Sequence, residues 1–154
     1  MAKMKATASI DVDVRPEIVY AFLSDYENSH PKILPENHFS NYEVLKGGIG
    51  EGTLIRFRFH LMGLKRVMKA EISEPEPGRV LLETDIDTGA ETSFLIEPND
   101  DGLSTKVTIV SEWESKGIRA LFERFVPARL EKVYEKELRL LKEQLTLNPV
   151  LPES

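Results

Sequence analysis

Six segments between residues 41 and 113 alternate apolar and polar side chains, and the links that separate them are short. The segments read "NYEVLK", "TLIRFRFHL", "KRVMKAEISE", "RVLLETDI", "AETSFLIEP" and "LSTKVTIVSEW". Links such as "GGIGEG", "EPEPG", "DTG" and "NDDG" carry the residues that favour turns. A connection between parallel strands needs a dozen or more residues. The pattern therefore predicts one long antiparallel meander.

The segment before this meander predicts one more strand and two helical pieces. Residues 5–14, "KATASIDVDV", alternate with a period of two, and we expect this strand at an edge of the sheet. Pro16 suits the first turn of a helix, since the amide proton that it lacks has no partner there. A second short helical or irregular piece is predicted to run to Pro35.

The chain ends in a helical pattern that covers roughly residues 118–147. Its apolar stripe after Pro127 is rotated by about 120° from the stripe before it, at about 100° per residue. A kink or break at Pro127 explains the rotation, and so do two separate helices of which Pro127 opens the second. This is the only element long enough to cover an apolar sheet face, which predicts an α+β fold.

Composition sets the outer limits. A chain of 154 residues fits one domain, predicted as residues 1–147 with a flexible tail at 148–154. The net charge of −6 and the absence of cysteine argue against general nucleic-acid binding and thiolate metal sites. No stretch is apolar enough for a signal peptide or a membrane span. We expect a cytoplasmic protein without stable membrane insertion, and the oligomeric state stays open.

The element order resembles the helix-grip fold of the START-like superfamily, which includes the birch-pollen-allergen proteins and the polyketide cyclase/dehydrase group. Three segments carry the resemblance: "IDVDVRPEIVYAFLSD", "GGIGEGT" and "LEKVYEKELRLLKEQL". It implies a curved antiparallel sheet of about seven strands around the long C-terminal helix, with two short helices after the first strand. It also implies an apolar cavity between sheet and helix for a lipid, sterol, polyketide or plant hormone.

The third strand decides which face of the sheet points at that helix. Ile55, Phe57 and Phe59 lie on one face of "LIRFRFH", and Arg56, Arg58 and His60 lie on the other. We expect the aromatic face inside, because neighbouring strands offer matching apolar faces. The outer face would then collect Arg56, Arg58, Lys69, Glu71, Glu83 and Asp85. The alternative turns the basic row inward as an anchor for an acidic ligand.

The resemblance also supplies the candidate site, because the residue pattern alone equally allows a solid core. The polar members Tyr26, Thr84, Thr92 and Ser111 would orient a ligand. Ser111 could instead bond to the backbone, and Trp113 could anchor the core. The full set of expected ligand-binding residues is Phe22, Tyr26, Leu34, Phe57, Phe59, Met68, Leu82, Thr84, Phe94, Ile109, Ser111, Trp113, Phe122 and Phe125.

Other site chemistries find little support in the sequence. His30 and His38, with Glu36, lack any metal-binding spacing, so we expect no metal and no cofactor, and two surface histidines. "GGIGEG" leads into a strand rather than a helix and is interpreted as a hairpin loop. The resemblance places this loop at the cavity entrance, as a gate. No serine has a nucleophile motif around it, so no catalytic residue is predicted.

The predicted function is binding or transport of an apolar small molecule. One alternative is a polyketide aromatase/cyclase or dehydratase that uses the same cavity, and a second is a protein-interaction module. A titratable pair that faces the cavity would favour the enzyme, above all Arg56 or Arg58 together with His60. Exposed apolar surface or a dimer would favour the interaction module.

Overall fold

The computed structural model describes residues 2–117 and 123–147. Its elements follow the predicted order of one strand, two short helices, six strands and a long helix, and the α+β class is confirmed. The elements are β1 (Ala2–Val12), α1 (Pro16–Ser24), a 3-10 helix (His30–Ile33), β2 (Phe39–Lys46), β3 (Leu54–Leu61), β4 (Leu64–Glu76), β5 (Val80–Asp85), β6 (Glu91–Pro98), β7 (Thr105–Ser115) and α2 (Val126–Leu147).

The seven strands form one antiparallel sheet in the order β1-β7-β6-β5-β4-β3-β2. Strands β2 to β7 are a meander, and β1 closes the other end by pairing with β7 over its whole length. The predicted meander with an edge position for the first strand is therefore confirmed. Because cross-strand neighbours share a face, the register also shows which side chains point at the helix.

The long helix begins at Val126, so Pro127 occupies its first turn, where a missing amide donor costs nothing. Arg124 and Phe125 form a turn before it, which favours the interpretation that Pro127 opens a separate helix. The predicted helical residues 118–122, among them Phe122, lie outside the described residues. The buried stripe of α2 consists of Leu130, Val133, Tyr134, Glu137, Leu138, Leu141 and Leu145.

The helix packs against β1 and the 3-10 helix, and α1 packs against β6. The core between these elements is closed: Val19, Leu23, Ile33 and Leu141 are fully buried. Toward β3 the packing opens, because Phe57, Phe59 and Trp113 contact this core but stay only partly buried. The helix-grip architecture thus leaves a space on one side of its core.

Strand β5 has the opposite facing to the one predicted from sequence. Leu81 pairs with Phe94, and Glu83 and Asp85 pair with Ile72 and Ala70, all on the inner face. Leu81 is fully buried. The consecutive leucines 81 and 82 fit either facing, and the prediction placed the two carboxylates outside to keep them in water. That choice was wrong, since the register carries Glu83 and Asp85 inward and leaves Leu82 and Thr84 on the outer face.

Candidate functional site

A cavity of about 660 Å³ lies between the inner face of the sheet and α2. Pockets for small molecules usually fall between about 300 and 1,000 Å³. Most of its wall is apolar or aromatic: Leu34, Phe39, Ile55, Phe57, Phe59, Leu61, Met68, Phe94, Trp113, Val126 and Leu130.

The basic row of β3 lies on the back of the sheet, as predicted. Arg56 and Arg58 are exposed, and the Arg56 guanidinium forms an ion pair with Glu43. His60 Nε2 lies 3.2 Å from Ser40 Oγ. These side chains therefore do not form the titratable pair that would have favoured an enzyme.

The structure brings eight of the residues considered from sequence together on the cavity wall. They are Leu34, Phe57, Phe59, Met68, Thr92, Phe94, Ser111 and Trp113. Whether any of them contacts a ligand stays a prediction.

The other predicted residues that the structure describes do not line this cavity. Tyr26 and Ile109 are fully buried in the core, and Phe22 packs against the core from outside. Phe125 is 56% exposed, in the turn before α2. Leu82 and Thr84 face outward, and Phe122 is not among the described residues.

Glu83 is the centre of a polar cluster at one end of the cavity. Tyr26 donates a hydrogen bond from its hydroxyl to Glu83 Oε2 at 2.8 Å. The carboxyl side chain is only 14% exposed. Burial raises the pKa of Glu83 to about 7, and the hydrogen bond from Tyr26 lowers it by a smaller amount. A carboxyl with this pKa exchanges its proton near neutral pH.

His30 is a buried partner of this cluster rather than a surface histidine, so that expectation was wrong. Its ring stacks on Tyr26 at 4.4 Å and meets Phe94 edge-on at 5.1 Å. Nδ1 lies 2.7 Å from the Leu23 carbonyl oxygen, which can only accept, so Nδ1 carries the proton. Burial lowers the pKa of His30 to about 4, so the ring is neutral at pH 7.

The neutral ring leaves a lone pair on Nε2, which lies 3.6 Å from Glu83 Oε2. This distance exceeds that of a hydrogen bond. Because the His30 pKa lies below that of Glu83, the charged forms of both groups do not predominate together, and the contact is not an ion pair at neutral pH. When Glu83 is ionised, two acceptor atoms therefore face each other here.

Glu137 brings a second carboxyl to the same cavity from α2. It is 3% exposed, and burial, followed by the charge of Glu83, raises its pKa well above the ordinary value. Within the described residues it has no hydrogen-bond or ion-pair partner. It follows Tyr134 by three residues on the buried stripe of the helix. That position, a glutamate inside an apolar stripe, was the sequence signal that could have identified it.

A chain of hydroxyl groups completes the cluster. Thr92 Oγ1 lies 2.6 Å from Ser111 Oγ, which also forms a hydrogen bond with the Tyr134 hydroxyl. Ser111 thus bonds to side chains rather than to the backbone. Burial raises the pKa of Tyr134, so its hydroxyl stays protonated at neutral pH and can donate or accept.

The loop "GGIGEG" lies against the end of α1 and not on the cavity wall. Tyr26 N donates to Gly48 O at 2.8 Å, and Gly50 N donates to Ser24 O at 2.9 Å. No residue from 47 to 52 lines the cavity. This placement gives no support to the gating role implied by the resemblance.

Residues 2–117 and 123–147 hold no group of three or more histidine, aspartate or glutamate side chains placed to bind a metal ion. No helix within these ranges has the length and apolar character required to cross a membrane.

The sheet, the long helix and the cavity between them define a START-like protein. The chain belongs to the polyketide cyclase/dehydrase and lipid transport family, whose model matches residues 3–146. No curated protein matches the sequence significantly.

Among solved structures, the chain is similar to the KanY protein, with 27% identity, a TM-score of 0.82, and coverage of 95% of this chain and 99% of that one. It is also similar to a START superfamily protein from Mycobacterium smegmatis, with 15% identity, a TM-score of 0.70, and coverage of 93% and 97%. An aromatase/cyclase from a Streptomyces species shares the fold at 12% identity and a TM-score of 0.71, with coverage of 96% and 98%.

Proposed function

We propose that this protein binds an apolar small molecule in the cavity between the sheet and α2. The observation that carries the proposal is a space of about 660 Å³ whose wall is mainly apolar and aromatic. A ligand that buries about 300 Å² of apolar surface gains about 7 kcal/mol, at about 25 cal/mol per Å², before the cost of association is subtracted. Membership of a family that includes lipid transport supports the same interpretation.

A variant that fills the cavity tests this proposal. Met68 lines the cavity, and its neighbour Val67 on β4 points to the other face and is 54% exposed. We expect Met68→Trp to weaken the binding of diphenylhexatriene, an apolar fluorophore, at least tenfold. The matched control, Val67→Trp, adds the same side chain outside the cavity and should leave binding unchanged.

Fluorescence titration of diphenylhexatriene into ligand-free protein measures both affinities. Native mass spectrometry of protein purified from cells gives an independent check, since a retained apolar molecule should be absent from Met68→Trp. If wild type fails to bind the fluorophore, or binds it no better than Met68→Trp does, the proposal is wrong.

A second candidate function is proton transfer on a polyketide, as in a cyclase or dehydratase. Glu83 favours it, because a carboxyl with a pKa of about 7 suits a general base near neutral pH. The polar cluster offers a titratable pair, formed by Glu83 and Glu137 rather than by Arg56 or Arg58 together with His60. An aromatase/cyclase from a Streptomyces species shares the fold.

The test of this activity is incubation with a poly-β-keto thioester, followed by mass spectrometry for cyclised or dehydrated product. We expect Glu83→Gln to abolish turnover while diphenylhexatriene still binds. Turnover that survives in this variant would remove Glu83 from the mechanism, and no turnover in wild type would leave binding as the function. The protein-interaction alternative stays a prediction, which gel filtration tests.

A further inference from the structure

At the polar end of the cavity, hydrogen-bond acceptor atoms outnumber the protons that the side chains can donate. Glu83 and Glu137 contribute two carboxyl groups, and both line the cavity wall. His30 also lines the wall, and its Nε2 presents a lone pair because Nδ1–H is bound to the Leu23 carbonyl. The hydroxyls of Thr92, Ser111 and Tyr134 can either donate or accept, and each carboxyl can donate once when it is protonated.

These acceptors lack a positive partner. In the part of the chain that the structure describes, neither Glu83 nor Glu137 forms an ion pair with lysine or arginine. Among the described residues, the one basic side chain in contact with either carboxyl is the neutral ring of His30, at 3.6 Å from Glu83. A buried carboxyl without a compensating charge is costly, and within the described residues only Glu83 has a donor, the Tyr26 hydroxyl, so the cluster is incomplete as a set of interactions.

The basic residues of the cavity wall lie at its other end. Arg66 lies on β4, opposite Phe59 of β3. Glu83 lies on β5, opposite Ile72 of β4, and Ile72 follows Arg66 by six residues along β4. At about 3.3 Å per residue, six residues span about 20 Å. Arg66 is also bound to Asp85, at 3.3 Å. Lys65 is exposed at the β3–β4 hairpin and is therefore a further residue away.

Lys116, another basic residue of the cavity wall, is also distant from the polar cluster. Ser111 belongs to the polar cluster, and Lys116 follows it by five residues, about 16 Å along the extended chain. Lys116 is exposed. The same end of the wall also carries Glu91, Glu112, Glu114 and Glu123, so it holds charges of both signs, whereas no lysine or arginine of the described wall lies beside Glu83 and Glu137.

From this arrangement we infer that the polar cluster recognises a ligand group that donates hydrogen bonds, either a hydroxyl or a protonated amine, and discriminates against a carboxylate. The inference rests on the proposed binding function and names the polar chemistry of its ligand. A donor placed between Glu83, Glu137 and His30 Nε2 can bind acceptor atoms that have no donor among the described residues, since Tyr26 donates to only one oxygen of Glu83. A carboxylate in the same place would bring a third acidic group and no donor.

The experiment compares three probes of equal chain length, 1-decanol, decylamine and decanoate, by isothermal titration calorimetry at pH 7. We expect 1-decanol or decylamine to bind wild type at least tenfold more tightly than decanoate. Tight binding of both indicates that donation alone suffices, whereas a preference for decylamine indicates that its charge also contributes. Equal or tighter binding of decanoate would overturn the inference.

Variants locate the effect in the cluster. Glu83→Gln and Glu137→Gln each replace a carboxyl with an amide of the same size that can donate. Both should weaken the better-bound probe at least tenfold and strengthen decanoate. Glu135→Gln, an exposed position on the same helix, is the matched control and should change nothing. Unchanged probe preference in both cluster variants would contradict the inference.

The outcomes separate this inference from the proposed function. If diphenylhexatriene binds and the three probes show no preference, the cavity binds ligands and only the inference fails. If neither the fluorophore nor the probes bind, both fail. Circular dichroism verifies that each variant is folded, and if one is not, the wild-type comparison of the three probes decides.

Discussion

Replacing Glu83 by glutamine should stabilise the protein, and the gain should grow with pH. The pKa of this carboxyl rises from 4.5 to about 7 on folding, because burial penalises its charged form. The folded state therefore binds the proton more tightly than the unfolded state does. Between pH 4.5 and 7, stability falls as pH rises, and the loss is complete above pH 7.

The size of the effect follows from the two pKa values. A difference of about 2.5, at about 1.4 kcal/mol for each pKa unit, corresponds to a full loss of about 3 kcal/mol. At pH 5 only about 1 kcal/mol of it is present, since the unfolded state is then only partly ionised. Glu83→Gln is neutral at every pH, and its amide oxygen can still accept the hydrogen bond from Tyr26. The stability difference between variant and wild type should thus increase by about 2.5 kcal/mol from pH 5 to pH 8.5.

Urea unfolding of ligand-free protein at pH 5, 7 and 8.5, followed by circular dichroism, measures this difference. His30 acts in the opposite direction, because its pKa falls to about 4 on folding and protonation of the unfolded state lowers stability below pH 6.5. That contribution is common to both proteins and largely cancels in the comparison. Glu135→Gln should show a flat difference, within about 0.5 kcal/mol. If the stability difference between Glu83→Gln and wild type is equally independent of pH, the claim that burial raises the pKa of Glu83 is wrong.

Two further substitutions probe the surroundings of the cluster and of the core. Tyr26→Phe removes the hydrogen bond that favours the ionised form of Glu83. A pH titration of the Glu83 carboxyl by NMR should therefore show a higher pKa than in wild type. An unchanged or lower pKa would contradict the hydrogen bond. Leu141→Ala creates a cavity beneath α2 at a fully buried position. It should lower the free energy of unfolding, measured with urea, by about 2–5 kcal/mol. A decrease below about 1 kcal/mol would contradict the core position of Leu141.

The fold was predictable because each element carries a strong local signal. Alternation in the segment around Phe57 and the short glycine-rich links define an antiparallel meander without any long-range information. Pro16 and Pro127 lie in the first turns of their helices, where proline is tolerated, so both helix starts are visible in the sequence. The edge position of β1 follows from the topology, since β1 is the only strand separated from the meander by helices.

The site was only partly predictable, because its chemistry violates the rule that polar residues face water. The apolar wall residues Phe57, Phe59 and Met68 obey that rule and were identified. Glu83 does not obey this rule. Because Leu81 and Leu82 are consecutive, either could face the core, and the rule favoured Leu82 and placed Glu83 on the outer face, which is wrong. Only the pairing of Leu81 with Phe94, a tertiary contact, reveals which of the two leucines is inside.

The two buried carboxyls bear on function because they work against the fold. Glu83 and Glu137 are both largely buried, and burial shifts the pKa of both toward the neutral form. Groups that oppose stability in this way are expected at functional sites. If Glu83→Gln is more stable than wild type at pH 8.5 and has also lost its preference for 1-decanol or decylamine over decanoate, one side chain accounts for both effects. A variant that gains stability and keeps that preference would instead make Glu83 a cost of the fold without a role in the site.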